Sequence, residues 1–349
     1  HGSIRRQRQM CIRDRYFNTP NQEFLSKKIA SLENGEKALI FTSGMAAIST
    51  SIMANVRSGA HVIFQEDLYG GTRNFIKTEF DKYGIEYSFT RGLESEDFIN
   101  EIKDNTVGIY VETPSNPLLK IVDLKSVSSI AKENSIWTMI DNTFASPVNQ
   151  NPIDHGIDIV IHSATKYLGG HSDISAGAVI STAENINLIL NSAKNFGGNL
   201  SDYTVWLLER SMKTLFIRVR EQTNNAKRLA KMLEENSNIS KVYYPGLESH
   251  PSHEVAKNQM KDFGAMMSFD LNENIDVYKF LKNLKVVKPG MSLAGVETTV
   301  NFPMKTSHGL LTQHERDNQG IGNKLIRLSV GIESYEDLYN DLDQAINNS

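Results

Sequence analysis

Apolar positions recur along this chain in two rhythms. In EFLSKKIASLE (23–33), Phe24, Leu25, Ile29 and Leu32 fall near one face of a 3.6-residue helix. Short contiguous apolar runs follow: KALIF (37–41), AHVIF (60–64), IEYSF (85–89), TVGIYV (106–111), IWTMI (136–140) and IDIVI (157–161). Amphipathic stretches such as TRNFIKTEFDKYG (72–84) and KSVSSIAKEN (125–134) lie between several of them. Apolar strands alternating with helices predict an α/β fold, a mostly parallel sheet with helices on both faces. Ligands of such sheets sit at the carboxyl ends of the strands.

From about residue 201 the texture changes. Residues 202–236 read as a long helix broken once, rich in strong helix formers with Leu, Val and Ile at three-to-four spacing. YYPGL (243–247) is a breaker, and AMMSFDL, VYKFLKNL, LIRLSV and EDLYNDLDQAI then mix strand and helix patterns. The expected organisation is an N-terminal arm (1–22), a large domain (23–217) and a smaller C-terminal α+β domain (218–349). The opening HGSIRRQRQMCIRDR has neither helical nor strand period, and HGS resembles a cloning remnant, so most of 1–14 is expected to be foreign to the fold.

Composition narrows the function classes. The net charge of −4 gives no electrostatic reason to bind nucleic acid or an anionic membrane. No apolar run approaches the roughly 20 residues that span a bilayer. The single cysteine, Cys11, excludes an intramolecular disulfide and a cysteine metal cage. It fits a reducing compartment, and a cytoplasmic location is expected. His250 and His253, in HPSH, have near-metal spacing, but without further ligand candidates no metal is expected.

Five short stretches follow expected strand ends. TSGMAA (42–47) is a small-residue turn opening a helix, hence either an anion site or an ordinary junction. DLYGGT (67–72) sets Tyr69 before two glycines, where it stacks on a flat ring or caps the core. ETPSNP (112–117) holds Asn116 in a loop stiffened by prolines. DNTFASP (141–147) begins with Asp141, an acid that needs a cationic partner at a buried strand end, unless it caps a helix. HSATKYLGGHSD (162–173) offers Ser163, Thr165 and Lys166 within four residues. Taken together, they supply amides and hydroxyls for a phosphate (Gly44, Met45, Ser163, Thr165) and an aromatic face and a carboxylate for a pyridine ring (Tyr69, Asp141). Lys166 adds an amine for an aldehyde. Pyridoxal 5'-phosphate (PLP) wants this set.

With FTSGMAAI, DLYGGT, ETPSNP, DNTFASP, HSATKYLGGHSD, YPGLESHPSHEVAKNQM, SLAGVET and LIRLSVGIE in view, the chain from about Arg15 onward resembles the Cys/Met-metabolism family of PLP enzymes. The resemblance implies the type I, aspartate-aminotransferase-like fold and a homotetramer of active-site-sharing dimers. It implies that Lys166 forms the Schiff base and moves protons, that Asp141 keeps the pyridine nitrogen protonated, and that Tyr69 stacks on the ring and acts as acid–base. Gly44, Met45, Ser163 and Thr165 would bind the phosphate, with Arg15 reaching a neighbouring subunit's phosphate, and Asn116 would sit near the ring oxygen and the substrate. Arg327 would pair with the substrate α-carboxylate and Ser292 would line the same pocket.

The implied activity is making or breaking a C–S bond at the β or γ carbon of a sulfur amino acid, foremost as a cystathionine γ-lyase or γ-synthase. An O-acylhomoserine sulfhydrylase and a cystathionine β-lyase are the alternatives, and a catalytically dead or regulatory PLP-binding paralogue is the non-enzyme reading. Three positions depart from family habit. Arg13 stands where a Tyr of the arm is expected, which bears on cofactor affinity and tetramer assembly. Gly71 replaces the Cys of methionine γ-lyases, and Met291 replaces an acid that several cystathionine γ-enzymes carry.

Overall fold

The computed structural model describes residues 17, 19–306, 309 and 312–349. Cys11, Arg13, Arg15 and the segment 1–14 lie outside the described residues, so the expectations placed on them carry no structural account.

Seven strands form the larger sheet: β1 (Lys37–Phe41), β2 (His61–Phe64), β3 (Glu86–Phe89), β4 (Thr106–Glu112), β5 (Trp137–Asp141), β6 (Ile159–His162) and β7 (Gly177–Ser181). Their order is β1-β7-β6-β5-β4-β2-β3. The pairs from β3 through β6 are parallel, whereas β7 runs antiparallel to both β6 and β1. β7 is a strand that the apolar runs leave unmarked: GAVIS is small and short, yet wholly buried. Because β1 runs in the direction of β6, the ends of β1, β4, β5 and β6 emerge on one edge of the sheet.

Alternate strand residues enter two different cores. Ile40, Ile63, Ile109, Ile140 and Val160 pack in one, and Phe41, Val62, Tyr110, Met139 and Ile161 in the other. Both faces are therefore covered, as expected for contiguous apolar strands. The first core continues without a break into the second sheet, through Phe269, Ile326 and Leu328. That sheet has the order β10-β11-β12-β9-β8 and is built from β8 (Ile239–Tyr243), β9 (Met266–Leu271), β10 (Lys288–Pro289), β11 (Thr299–Asn301) and β12 (Leu325–Ser329).

The expected break in the long helix falls at Lys213–Thr214, between helices Asp202–Met212 and Leu215–Glu235. The second helix runs through residue 217. The first helix, Pro20–Leu32, buries Gln22, Leu25, Ile29 and Ala30. Phe24, read as part of its core face, is instead 60% exposed. Its position is one residue off the stripe defined by Leu25 and Ile29, and Gln22 takes the inward place by bonding the Leu200 carbonyl and the Asn199 amide.

One close approach fixes the site edge of the sheet. A Cβ on Gly177 would lie 2.1 Å from the Ser43 carbonyl oxygen, so β7 and the turn that starts helix Gly44–Asn55 touch backbone to backbone. Gly177→Ala is expected to destabilise the protein by about 2 kcal/mol through overpacking. An unchanged denaturant midpoint would contradict this close fit.

Candidate active site

Asp141 is the last residue of β5 and is buried. Its Oδ1 accepts the Thr143 N–H at 3.0 Å, and the Thr143 hydroxyl in turn accepts the Ser163 N–H at 2.8 Å. Beside it in parallel register stands Glu112, the last residue of β4. Two carboxyls thus end adjacent buried strands. Burial pushes both above the usual carboxylate range; the Asp141 charge drives Glu112 further up, while the Thr143 hydrogen bonds and the His162 charge hold Asp141 back. No cationic side chain lies within 4.0 Å of Asp141 among the described residues.

Glu112 has a second duty. Its Oε2 accepts the Tyr69 N–H at 2.7 Å, at the start of helix Gly70–Glu79. The Tyr69 ring then lies over Gly71 and beside Met45: a Cβ on Gly71 would meet Tyr69 Cε1 at 2.5 Å and Met45 Sδ at 3.1 Å. Gly44 opens its twelve-residue helix directly opposite Ser163, where a Cβ would meet Ser163 Oγ at 2.9 Å. The missing side chain leaves the Ser163 hydroxyl, which has no protein hydrogen bond among the described residues, beside the free amides of the helix start. Such a cradle suits a phosphate. Thr165 sits differently: its hydroxyl is engaged with the backbone of Ala176, donating to the carbonyl at 3.2 Å and accepting from the N–H at 3.0 Å.

Lys166 follows in the turn after β6. It is half-buried, and its amine has no hydrogen-bond or ion-pair partner among the described residues. Burial lowers its pKa, and the nearby Arg327 guanidinium lowers it further. Arg327 lies in β12, in the smaller sheet, 2% exposed. It donates from Nη1 to Asn116 Oδ1 at 3.0 Å and from Nη2 to the Met291 carbonyl at 3.2 Å, and its Nε has no partner among the described residues. A guanidinium this deeply buried ordinarily has a carboxylate partner. Here it has two neutral acceptors instead, and burial lowers its pKa to about 10. Ser292 is exposed at the rim, its hydroxyl 3.3 Å from that of Ser172.

The structure therefore gathers Gly44, Met45, Tyr69, Asn116, Asp141, Ser163, Lys166 and Arg327 around one edge of the larger sheet. Glu112 and Thr143 belong to it too and were not singled out by sequence. Glu112 was recoverable, since it is an acid at the end of a buried strand, the signal that marks Asp141. His250 and His253 direct their Nδ1 atoms to backbone groups of Ser252 and Pro245. Among the described residues no helix is long and apolar enough to cross a membrane.

Residues 4–347 match the sequence model of the Cys/Met metabolism PLP-dependent enzyme family, a match that begins inside the segment 1–14. A cystathionine beta-lyase of Lactococcus lactis subsp. cremoris (strain MG1363) is 42% identical over 328 residues, 94% of this chain and 86% of that protein. A cystathionine gamma-lyase of Bacillus subtilis (strain 168) is also 42% identical, over 330 residues, 94% of this chain and 87% of that protein. The crystal structure of cystathionine gamma-lyase from Lactobacillus plantarum complexed with L-serine superposes with a TM-score of 0.92 at 36% identity, covering 95% of this chain and 87% of that one.

The raised pKa of Asp141 has a consequence for stability. A carboxyl whose folded-state pKa lies above its unfolded value favours the folded state below the unfolded pKa and loses that contribution as pH rises through the folded pKa. Cofactor-free protein should therefore lose stability as pH climbs from about 4. Asp141→Asn removes this loss and keeps the acceptor for Thr143. Its melting temperature without cofactor should exceed the parent's by about 2 °C at pH 8 and approach it in acid. Equal melting at pH 8 would mean that the buried carboxylate is not a liability.

Proposed function

This chain belongs to the Cys/Met metabolism PLP-dependent enzymes, and we propose that within them it breaks or makes the C–S bond at the γ carbon of cystathionine, as a γ-lyase or a γ-synthase. It is a PLP-dependent enzyme of sulfur amino-acid metabolism with the type I fold. The observation that carries the site assignment is a set of buried ionisable groups without counter-charges among the described residues: Asp141 without a cation, and Arg327 without a carboxylate, with the amine of Lys166 near Arg327.

Bound PLP supplies an aldehyde and an electron-withdrawing ring. The residues present fit it. Asp141 accepts the proton-bearing ring nitrogen that its burial calls for. Tyr69 covers one ring face. Gly44, Met45 and Ser163 hold the phosphate at the helix start, and Thr165, whose hydroxyl is bonded to Ala176, braces that turn; its assignment to the phosphate would require it to release the Ala176 carbonyl. Arg15 is assigned to a neighbouring subunit's phosphate. Arg327 exchanges its neutral acceptors for the substrate α-carboxylate, a bidentate fit that lysine would not provide. Asn116, bonded to Arg327, lies at the same carboxylate, and Ser292 at the pocket rim. Lys166 Nζ takes the α-proton and returns protons in later steps, a task eased by a pKa below that of an ordinary lysine. Tyr69 Oη donates a proton to the departing sulfur.

The assembly we infer is a homotetramer of dimers that share active sites. Supporting this, Tyr203, Trp206 and Ile217 stand 71%, 53% and 72% exposed near the helix break, large apolar side chains of the kind that partner subunits cover. A cytoplasmic location fits the single cysteine.

Two measurements test the reading. Lys166→Ala should lose the covalent cofactor link, read by mass after borohydride reduction, and lower turnover by at least about a thousandfold; normal turnover would sink the mechanism. Incubation with cystathionine should release 2-oxobutyrate together with cysteine. Release of pyruvate with homocysteine would assign the β-lyase instead.

A further inference from the structure

We propose that Glu112 is a positioning residue for Tyr69: it holds the turn carrying the ring through one backbone hydrogen bond, so that the two side chains act as a unit. The proposal rests on the reading of Tyr69 as the residue that stacks on the cofactor ring.

The geometry behind it is a hierarchy of anchors. Gln65 ties the loop to β4, donating to the Asp67 carbonyl at 3.1 Å and the Glu112 carbonyl at 2.9 Å and accepting the Glu112 N–H at 3.0 Å. Lys120 pairs with Asp67 at 2.6 Å, and Arg73 with Glu66 at 2.9 Å. These bonds fix residues 65–67, and the Arg73 pair ties them to the helix that follows Tyr69. Among the described residues, only the 2.7 Å bond from Glu112 reaches Tyr69 from outside its own helix. Packing constrains the helix behind it through the buried Thr72, Arg73 and Ile76, whereas Tyr69 itself is 47% exposed, with its ring against Gly71.

The chemistry of Glu112 says what it contributes. Burial pushes its carboxyl well above the usual range and the charges of Asp141 and Asp67 push the same way, against backbone hydrogen bonds from Tyr69 and Asn116 that hold it back. The carboxyl accepts the Tyr69 N–H in either protonation state. Reach and acceptor capacity are then the requirement, and charge is not. An asparagine or aspartate, one methylene shorter, would not span the same gap.

The test uses the holoenzyme and the variants Glu112→Gln, Glu112→Asp, Tyr69→Ala and the double variant Glu112→Asp with Tyr69→Ala. It reads the PLP dissociation constant and the visible circular dichroism of bound PLP, alongside the melting temperature. Glu112→Gln should bind PLP within about twofold of the parent and keep the dichroic band, since its amide oxygen still accepts. Glu112→Asp should bind about tenfold more weakly with a diminished band. The double variant should be no weaker than Tyr69→Ala alone, because residues that act together are not additive. A normal Glu112→Asp with an impaired Glu112→Gln would overturn the proposal by making charge the requirement. So would losses that multiply in the double variant. Should Glu112→Asp fail to fold, Glu112→Gln decides alone: an intact band supports the proposal and a lost band overturns it. If Tyr69→Ala changes neither readout, the stacking reading falls first and the proposal with it, a result distinct from failure of Glu112 alone.

Discussion

Two carboxyl groups side by side in a water-poor layer are the constraint around which this site is organised. Glu112 and Asp141 end neighbouring parallel strands in direct register, and both are buried. Like charges at that spacing do not both ionise cheaply in a low-dielectric surround. The chain answers by giving the two groups different surroundings. Asp141 receives the Thr143 N–H and lies within the field of His162, both of which favour its anion. Glu112 receives the Tyr69 N–H but faces the Asp141 and Asp67 charges, which favour its acid form. In the proposed function, a cationic ring nitrogen on Asp141 would complete this division. Asp141 is thus a buried carboxyl with no cationic side chain beside it among the described residues.

Directly under that pair, on the opposite face of the sheet, lies a polar layer. Glu33, at the end of the first helix, is wholly buried and accepts from His162 at 2.5 Å, from Asn142 at 2.9 Å and from Asn151 at 3.2 Å. Gln150 extends the chain of bonds to Asn142 at 2.9 Å and to the Thr113 carbonyl at 3.1 Å. Gln259 joins it to the Val122 carbonyl at 3.0 Å. The three loops that carry Asp141, Asn116 and Lys166 are therefore tied to one carboxylate. Removing one partner from a buried charged network leaves the others exposed to its full desolvation penalty. Such a network gives little room for the loops to shift one at a time, which is what a site needing several groups in register requires.

The strands of the parallel layer were legible because burial on both faces leaves an apolar run that survives in any single sequence. KALIF, TVGIYV, IWTMI and IDIVI each became a strand. The antiparallel β7 was not, since GAVIS differs from a loop only in its tertiary setting. Phe24 was misplaced for a related reason: helical spacing fixes a stripe only to within a residue, and a buried glutamine held the place that hydrophobicity assigns to a phenylalanine. At the site, residues whose chemistry is unusual for their place were visible, such as Lys166 after a buried strand. Residues whose importance lies in what they hold were not. Thr143 is an unremarked threonine until the Ser163 N–H is found on its hydroxyl, and Thr165 looks like a free hydroxyl until Ala176 is found on both sides of it. Spacing along a chain does not reveal partners that come from another strand.

Arg327 and Asn116 bring the two sheets into one site. Arg327 belongs to β12 and Asn116 to the loop after β4, and the 3.0 Å bond between them crosses from one sheet to the other. The same loop is pinned to the smaller sheet by Ser268, whose hydroxyl donates to the Pro117 carbonyl at 2.6 Å. A carboxylate arriving at Arg327 is thus received where the sheets meet, and it changes more than that contact. Lys166 is held below its ordinary pKa first by burial and then by the Arg327 charge. An anion paired with Arg327 cancels the second of these pushes, so the amine binds a proton more firmly with the carboxylate in place than without it. In the proposed function, recognition of the substrate by Arg327 and the strength of Lys166 as a base would thus be linked by one guanidinium.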